Sequence, residues 1–390
     1  MARAVSSNNI AKRDDGRWYK QIVVNGELIH IYGKTKSEVQ SKVKAKLWEL
    51  EQAKAANLNN YAQAEKTTVE QWARECLETY SKGSVKPNTY GSYLSIIEHH
   101  LGDLGEMKLS QVTNADIQSH LKKKSRSDKN PDGLGEKTLT NIKAFLNLVF
   151  KQAMINGYIL RNPVTGVKIP KTGTKESRAL TVEEQHRLLD AARNNPRPIM
   201  FAVVFALYTG CRKGEIFGLQ WSDIDLDEGK VHISKQFNRH FDIEHEDGKR
   251  SALGLSTPKT KGSVRDIYIC DSFCKELKAY KEKMVEWKKQ NKFVHSEEDF
   301  VFVGVKNTPI EPRVFYKYYT EVLAEAEIDD ANFHTLRHTF TTRCIEQGMD
   351  ILAVARMLGH ADVKMTLNRY SHLLPQHMRA SMAKMEENYY

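Results

Sequence analysis

The chain has 390 residues, of which 28% are charged, with a formal charge of +10 and a pI near 9.1. That length exceeds one hydrophobic core and implies two or three domains, and the charge favours a polyanionic partner such as nucleic acid. The longest apolar run, Ile199 to Tyr208, falls short of the roughly 20 residues that span a bilayer. The N-terminus lacks the apolar segment of a signal peptide, so a cytoplasmic location with no membrane partner is expected.

Five cysteines, Cys76, Cys211, Cys270, Cys274 and Cys344, are scattered and odd in number. This suits reduced thiols rather than a disulfide framework. No second Cys/His pair stands at zinc-ligand spacing beside Cys270 and Cys274, and both are read as packing residues. His240 and His245, in an acidic stretch, are read as solvent-facing rather than metal-binding.

Asn9 to Lys12, Trp18 to Val24 and Glu27 to Tyr32 read as three short strands, with Asn25-Gly26 as the hairpin turn of the last two. Thr35-Lys-Ser-Glu38 has the capping-box spacing that opens a helix carrying Val39, Val43, Leu47 and Leu50. A three-stranded sheet backed by one helix leaves one face open, on which Arg17, Trp18, Lys20 and His30 are expected. Arg and Lys there would meet phosphates, and a sheet can enter the major groove. Gln52 to Lys66 reads as the helix end and a linker.

Residues 67 to 160 carry helical patterns without a convincing strand. Four helices are expected: one through Val69, Trp72, Cys76 and Tyr80, one from Pro87, one opened by Thr113 and ending in Lys122-Lys123-Lys124, and one from Thr138 to Tyr158. The stretch from Val164 to Ser177 reads as a second linker.

Thr181-Val-Glu-Glu184 is another capping box. The apolar run that follows would form a buried helix leading to Thr209-Gly210-Cys211-Arg212-Lys213-Gly214-Glu215. Gly210 permits a tight turn, Arg212 emerges beside helix N–H groups that also favour phosphate, and Glu215 lies one turn on. Lys230 to Ser234, Ala252 to Thr257 and Val264 to Ile269 read as strands, with Pro258-Lys-Thr-Lys-Gly262 as a hairpin tip between the last two. Gln236 to Gly254 reads as a loop.

Toward the C-terminus, His334-Thr-Leu-Arg337 puts an imidazole and a guanidinium on one helix face. A helix from Met349 to Leu358 should end at Gly359, which tolerates the left-handed cap. His360 follows, and Tyr370 falls on the next short helical piece. Every member of this set suits a phosphodiester. Arg offers a planar fork for two phosphate oxygens, His can donate or move a proton, and a phenol can attack phosphorus and hold it covalently.

Thr-Gly-x-Arg-x-x-Glu, then His-x-x-Arg, then Leu-Gly-His, then Tyr resembles the signature of the tyrosine recombinases, the phage-integrase family. The full layout is similar to integrases of conjugative transposons and Gram-positive phages. The resemblance implies a multidomain α+β fold. Residues 1–65 would form an arm-type DNA-binding domain and 66–165 a helical core-binding domain. Residues 166–177 would be a linker, and 178–390 a mostly α catalytic domain with a small antiparallel sheet and a C-terminal tail. It implies a catalytic set of Arg212, Lys259, His334, Arg337, His360 and Tyr370, with Lys261 a rival to Lys259. It implies a homotetramer that binds double-stranded DNA at core and arm sites and cleaves and rejoins it at the core site. No cofactor or metal is expected, and an excisionase or DNA-bending protein is a further expected partner. Within enzymes the alternative is a type IB topoisomerase, and outside them a DNA-binding regulator with a silent site. DNA target, host element and direction are not encoded legibly.

Overall fold

The computed structural model describes residues 10–13, 15–24, 27–127, 130–172, 178–242, 251–257 and 261–359, with 382, 383 and 385. It divides into two compact units, 1–174 and 175–390.

The first unit opens with a meander of β1 (Ala11–Lys12), β2 (Trp18–Val24) and β3 (Glu27–Gly33), antiparallel in the order β1-β2-β3. Helix α1 (Lys36–Ala64) packs on one side. At its start Thr35 Oγ1 accepts from the Glu38 N–H at 3.2 Å, while the Glu38 carboxylate accepts from Lys34 N–H at 2.7 Å. The core of this module is Ile22, Val39 and Val43, with Trp18, Ile29 and Ile31 packed against it.

That core corrects the expected face. Side chains alternate along a strand, so Trp18 and Lys20 share the α1 side with Ile22, opposite Gly33, Ile31 and Ile29. The open face instead carries Tyr19, Gln21, His30 and Tyr32. Tyr19 and Tyr32 stack at 6.2 Å, and Arg17 lies 5.7 Å over the Tyr32 ring. Arg17 is also paired with Asp15 at 2.8 Å.

The stretch expected to be a linker before residue 66 is helical to Ala64. Its last turns belong to the bundle that follows: Ala64 is fully buried, and the Asn60 amide donates to the Asn156 carbonyl. The bundle comprises α2 (Val69–Cys76), α3 (Pro87–His100), the short α4 (Asp103–Glu106), α5 (Asn114–Lys124) and α6 (Glu136–Ile155). Helix α2 runs into a wide turn, Leu77–Ser81, closed by Lys82 N–H on Leu77 O. Thr68 and Thr113 cap α2 and α5 with full capping boxes. The core is mostly apolar, and the large polar side chains in it are satisfied: Trp72 Nε1 donates to Val149 O at 3.0 Å, Tyr90 OH to Glu78 at 3.0 Å, and His120 Nε2 lies 2.9 Å from His100 O.

The second expected linker is strapped to this bundle for most of its length. Val164 and Val167 are buried, Asn114 donates to the Pro163 and Thr165 carbonyls, and Thr172 Oγ1 accepts from the Glu136 N–H.

The second unit begins with α7 (Val182–Asn194), capped by the Thr181–Glu184 box as expected. A short turn, Pro198–Met200, leads into α8 (Phe201–Thr209), which is buried along nearly its whole length. Helix α9 (Lys213–Gly218) follows, then β4 (Ile224–Asp225), β5 (Lys230–Ile233), β6 (Gln236–Phe241), β7 (Ser251–Ser256) and β8 (Arg265–Tyr268). Helices α10 (Asp271–Gln290), α11 (Pro312–Glu325), α12 (Phe333–Glu346) and α13 (Ile351–Leu358) complete the described part.

The strand pairing differs from expectation. β7 pairs with β6, a segment read as loop, and β8 pairs with β5 in the order β4-β5-β8. The strands flanking residues 258–262 therefore belong to different sheets and form no hairpin with each other. The β6–β7 ribbon lies against α9, where a Cβ on Gly218 would meet Gln236 Cα at 2.9 Å. His240 Nε2 is 3.1 Å from the Gly254 carbonyl within the ribbon, and His245 lies outside the described residues. Cys274 is buried but Cys270 is exposed, so only the first is a packing residue. No helix among the described residues is long and apolar enough to cross a membrane.

The two faces of the N-terminal sheet make a test. Trp18→Ala removes packing from a small core, a loss of ~2 kcal/mol, so amide exchange across residues 18–33 of the full chain should speed about 30-fold. Tyr19→Ala removes only a cross-strand pair, worth under ~1 kcal/mol, and should change it by less than about fivefold. Equal effects would contradict the assignment of faces.

Candidate active site

The site is built where α8 ends. Phe201–Thr209 is apolar and buried, and it stops at Gly210, whose φ of 62° is the left-handed cap that favours glycine. A side chain there would strike Phe340, since a Cβ would lie 2.4 Å from Phe340 Cδ1. The chain can thus turn tightly under α12 and present Arg212 in extended conformation just before α9.

Arg212 is anchored by Glu215. Its backbone N–H donates to Glu215 Oε2 and its Nη1 to Oε1, each at 2.8 Å. This is no exposed surface pair, because the Glu215 side chain is only 3% exposed while the Arg212 side chain keeps 37%. The expected contribution of helix N–H groups is small: α9 has six residues, and the Arg212 N–H is occupied by Glu215.

A residue outside the expected set completes the anchor. Arg265 donates from Nη1 to Glu215 Oε1 at 3.1 Å and from Nη2 to Oε2 at 2.9 Å. Burial alone would raise the Glu215 carboxyl. The hydrogen bonds and charge of Arg265, with help from Arg212, outweigh it and hold the group below the usual carboxylate range.

Arg337, on α12, lies beneath. It is 3% exposed, its Nη1 donates to Gly210 O at 2.9 Å and its Nη2 to Leu358 O at 2.7 Å. Burial and then the neighbouring Arg212 guanidinium push its pKa down to about 10, which leaves it charged at neutral pH. His334, three residues earlier, is exposed at the mouth and meets the buried His338 edge to face at 4.7 Å. Arg212, Lys213, Cys211, Tyr316, Asn332, Phe333 and His334 line one cleft of about 260 Å³. Burial lowers the pKa of Lys213 at its rim.

Of the six residues named from sequence, the structure brings Arg212, His334 and Arg337 together. Lys259, His360 and Tyr370 lie outside the described residues, as does the rival position 261 in its side chain. The backbone is described up to Gly359, whose φ of 65° ends α13 as expected. What sequence reasoning missed is Arg265. Its partner is 50 residues away, and no local spacing announces such a pair.

Comparison with known proteins agrees with this geometry. The model described as "Phage integrase family" matches residues 178–377, and that described as "Phage integrase, N-terminal SAM-like domain" matches residues 68–125. A tyrosine recombinase XerC-like protein of Caldanaerobacter subterraneus is 27% identical over 93% of this chain and 94% of its own length. The ICEBs1 integrase of Bacillus subtilis is 27% identical over 77% of this chain and 78% of its own. Among solved structures, the Tn1549 transposon integrase in complex with a circular intermediate DNA superimposes with a TM-score of 0.66. It has 22% identity and covers 82% of this chain and 99% of its own. A lambda integrase dimer bound to a core site gives 0.55 at 17% identity, over 94% and 96% of the two chains. An extended Arg212 locked by a buried carboxylate, the matching fold and the family match over the whole site together establish that this chain belongs to the phage integrase family of tyrosine recombinases.

Proposed function

We propose that the chain is the integrase of a mobile element, cutting and rejoining double-stranded DNA through a 3′-phosphotyrosyl link to Tyr370. The observation that carries this reading is the cleft lined by both Arg212 and His334, with the buried Arg337 near enough to Arg212 to feel its charge. A phosphodiester is the anion such a cleft suits, since preorganised charge is most effective where water is excluded.

In this mechanism the Tyr370 phenol attacks the scissile phosphorus, and the bond from phosphorus to the 5′-oxygen breaks. His334 accepts the phenol proton, which a group of ordinary pKa about 10 would otherwise keep at neutral pH. Lys259 gives a proton to the leaving 5′-oxygen. Arg212 meets a nonbridging oxygen from the cleft, Arg337 adds charge from below, and His360 donates a further hydrogen bond. The phosphotyrosyl link conserves the bond energy, so a second strand's 5′-hydroxyl reverses the step without ATP. Exchange requires two paired duplexes, and the assembly is read as a cytoplasmic homotetramer on DNA, helped by an excisionase or DNA-bending protein.

The N-terminal module is read as the arm-site binder. Its open face offers Arg17 beside the stacked Tyr19 and Tyr32. Trp18 acts by holding the sheet to α1, and Lys20, on the same face as Trp18, is read as a phosphate contact. The bundle that follows is read as the core-site binder.

A nicked suicide substrate carrying the attachment site should trap a covalent protein–DNA adduct with the wild-type chain and none with Tyr370→Phe, while core-site binding persists. An adduct from that variant would remove Tyr370 as nucleophile. A 5′-thio leaving group needs no acid, so it should restore cleavage to Lys259→Ala, which loses about 10²-fold or more on the oxygen substrate. Rescue of Lys261→Ala in its place would reassign the acid. Replacing Arg17, Tyr19 and Tyr32 together by Ala should abolish arm-site retention and spare core-site cleavage. Parallel loss of both would refute the division of labour.

A further inference from the structure

We propose that Arg265 is a positioning residue for strand transfer, because its single guanidinium ties together the three segments that carry Arg212, the lysine turn and His360. The proposal rests on the recombinase reading above. Arg265 stands at the start of β8 with its side chain 6% exposed. Its fork holds both oxygens of Glu215, the carboxylate that itself holds the backbone and side chain of Arg212. Its Nη1 also donates to Ser263 O at 3.0 Å, fixing the chain as it leaves residues 258–262. Its Nε donates to Met357 O at 2.5 Å, in the last turn of α13.

The end of α13 is shaped for this contact. A Cβ on Gly359 would meet Arg265 Cδ and Nη1 at 3.1 Å, so the guanidinium passes against a residue with no side chain. The final carbonyls of a helix have no partner within it. Here Met357 O is taken by Arg265 and Leu358 O by Arg337. Two buried cations thus set where the backbone stands one residue before His360. Arg265 meets no cleft-lining surface itself, so it acts through the groups it holds.

The chemistry requires the fork. Four donor contacts in one plane, two to a carboxylate and two to carbonyls, match a guanidinium and exceed what one ammonium can reach. Arg265→Lys keeps the charge beside Glu215 and loses that geometry. Misplacement by about 1 Å can cost ~10²-fold in rate, so single-turnover cleavage of the suicide substrate should fall by about that factor in Arg265→Lys. Its Kd for the core site, measured where both chains are folded, should stay within about threefold of wild type. Because Arg265 acts through Glu215, the double variant Arg265→Lys, Glu215→Gln should be scarcely slower than the worse single variant, rather than slower by the product of the two losses.

The wild-type chain, run in parallel, separates the two readings. A wild-type adduct formed no faster than that of Arg265→Lys overturns the positioning role and leaves the recombinase reading intact. Losses that multiply in the double variant, or a rate loss matched by an equal loss of DNA affinity, also overturn it by making the residue a general support. No adduct from wild type sinks the recombinase reading and this proposal with it.

Discussion

The carboxylate of Glu215 is the constraint on which the catalytic unit depends. It is buried, it accepts from the backbone and side chain of Arg212, and it is gripped by the fork of Arg265. Close by is a third guanidinium, Arg337, whose charge is resisted by burial and by Arg212. Among the described residues, one negative group beside three positive ones leaves a local excess of positive charge, most of it buried. Such an arrangement is costly to bury and is tolerated only where each ion is hydrogen-bonded. An anion arriving at the exposed edge of Arg212 would relieve it, and a phosphodiester carries the charge and oxygens to do so.

The surrounding fold can be understood as what holds that excess charge still. An all-apolar α8 drives itself into the core and ends at Gly210, whose carbonyl then receives Arg337. Helix α12 delivers Arg337 and His334 from one face, and α13 offers its last carbonyls to two arginines. Cations at a helix C-terminus also meet the favourable end of its dipole. Each guanidinium is therefore fixed by backbone carbonyls or a carboxylate already in place, so that little reorganisation remains when charge develops on phosphorus.

Local chemistry was legible in the sequence, and distant pairing was not. The capping box at Thr181, the helix opened at Thr113, the glycine stop at Gly359 and the Arg212–Glu215 pair all depend on neighbours within a turn or so of chain, and each stands as read. Two strands were mispaired because Ala252–Thr257 and Val264–Ile269 are neighbours in sequence, whereas β6–β7 is an insertion between β5 and β8. Gln236–Phe241 has little apolar content to announce a strand, and only Phe237 in it is buried. The open face of the N-terminal sheet was legible by parity. Trp18 and Lys20 alternate with His30 across the register, and a reading that placed all three on one face attended to residue type above the two-residue period. Arg265 was beyond reach, since nothing near it names Glu215 as its partner.

The burial of Arg337 changes what that residue can be asked to do. Two of its donors are spent on Gly210 O and Leu358 O, which fixes its charge in place under the end of α8. Charge acting through protein rather than water is screened far less. Arg212, by contrast, keeps a side chain open to the cleft. A half-exposed guanidinium held by the buried Glu215 carboxylate and a buried one held by backbone carbonyls therefore stand at one site, each fixed by a partner of a different kind.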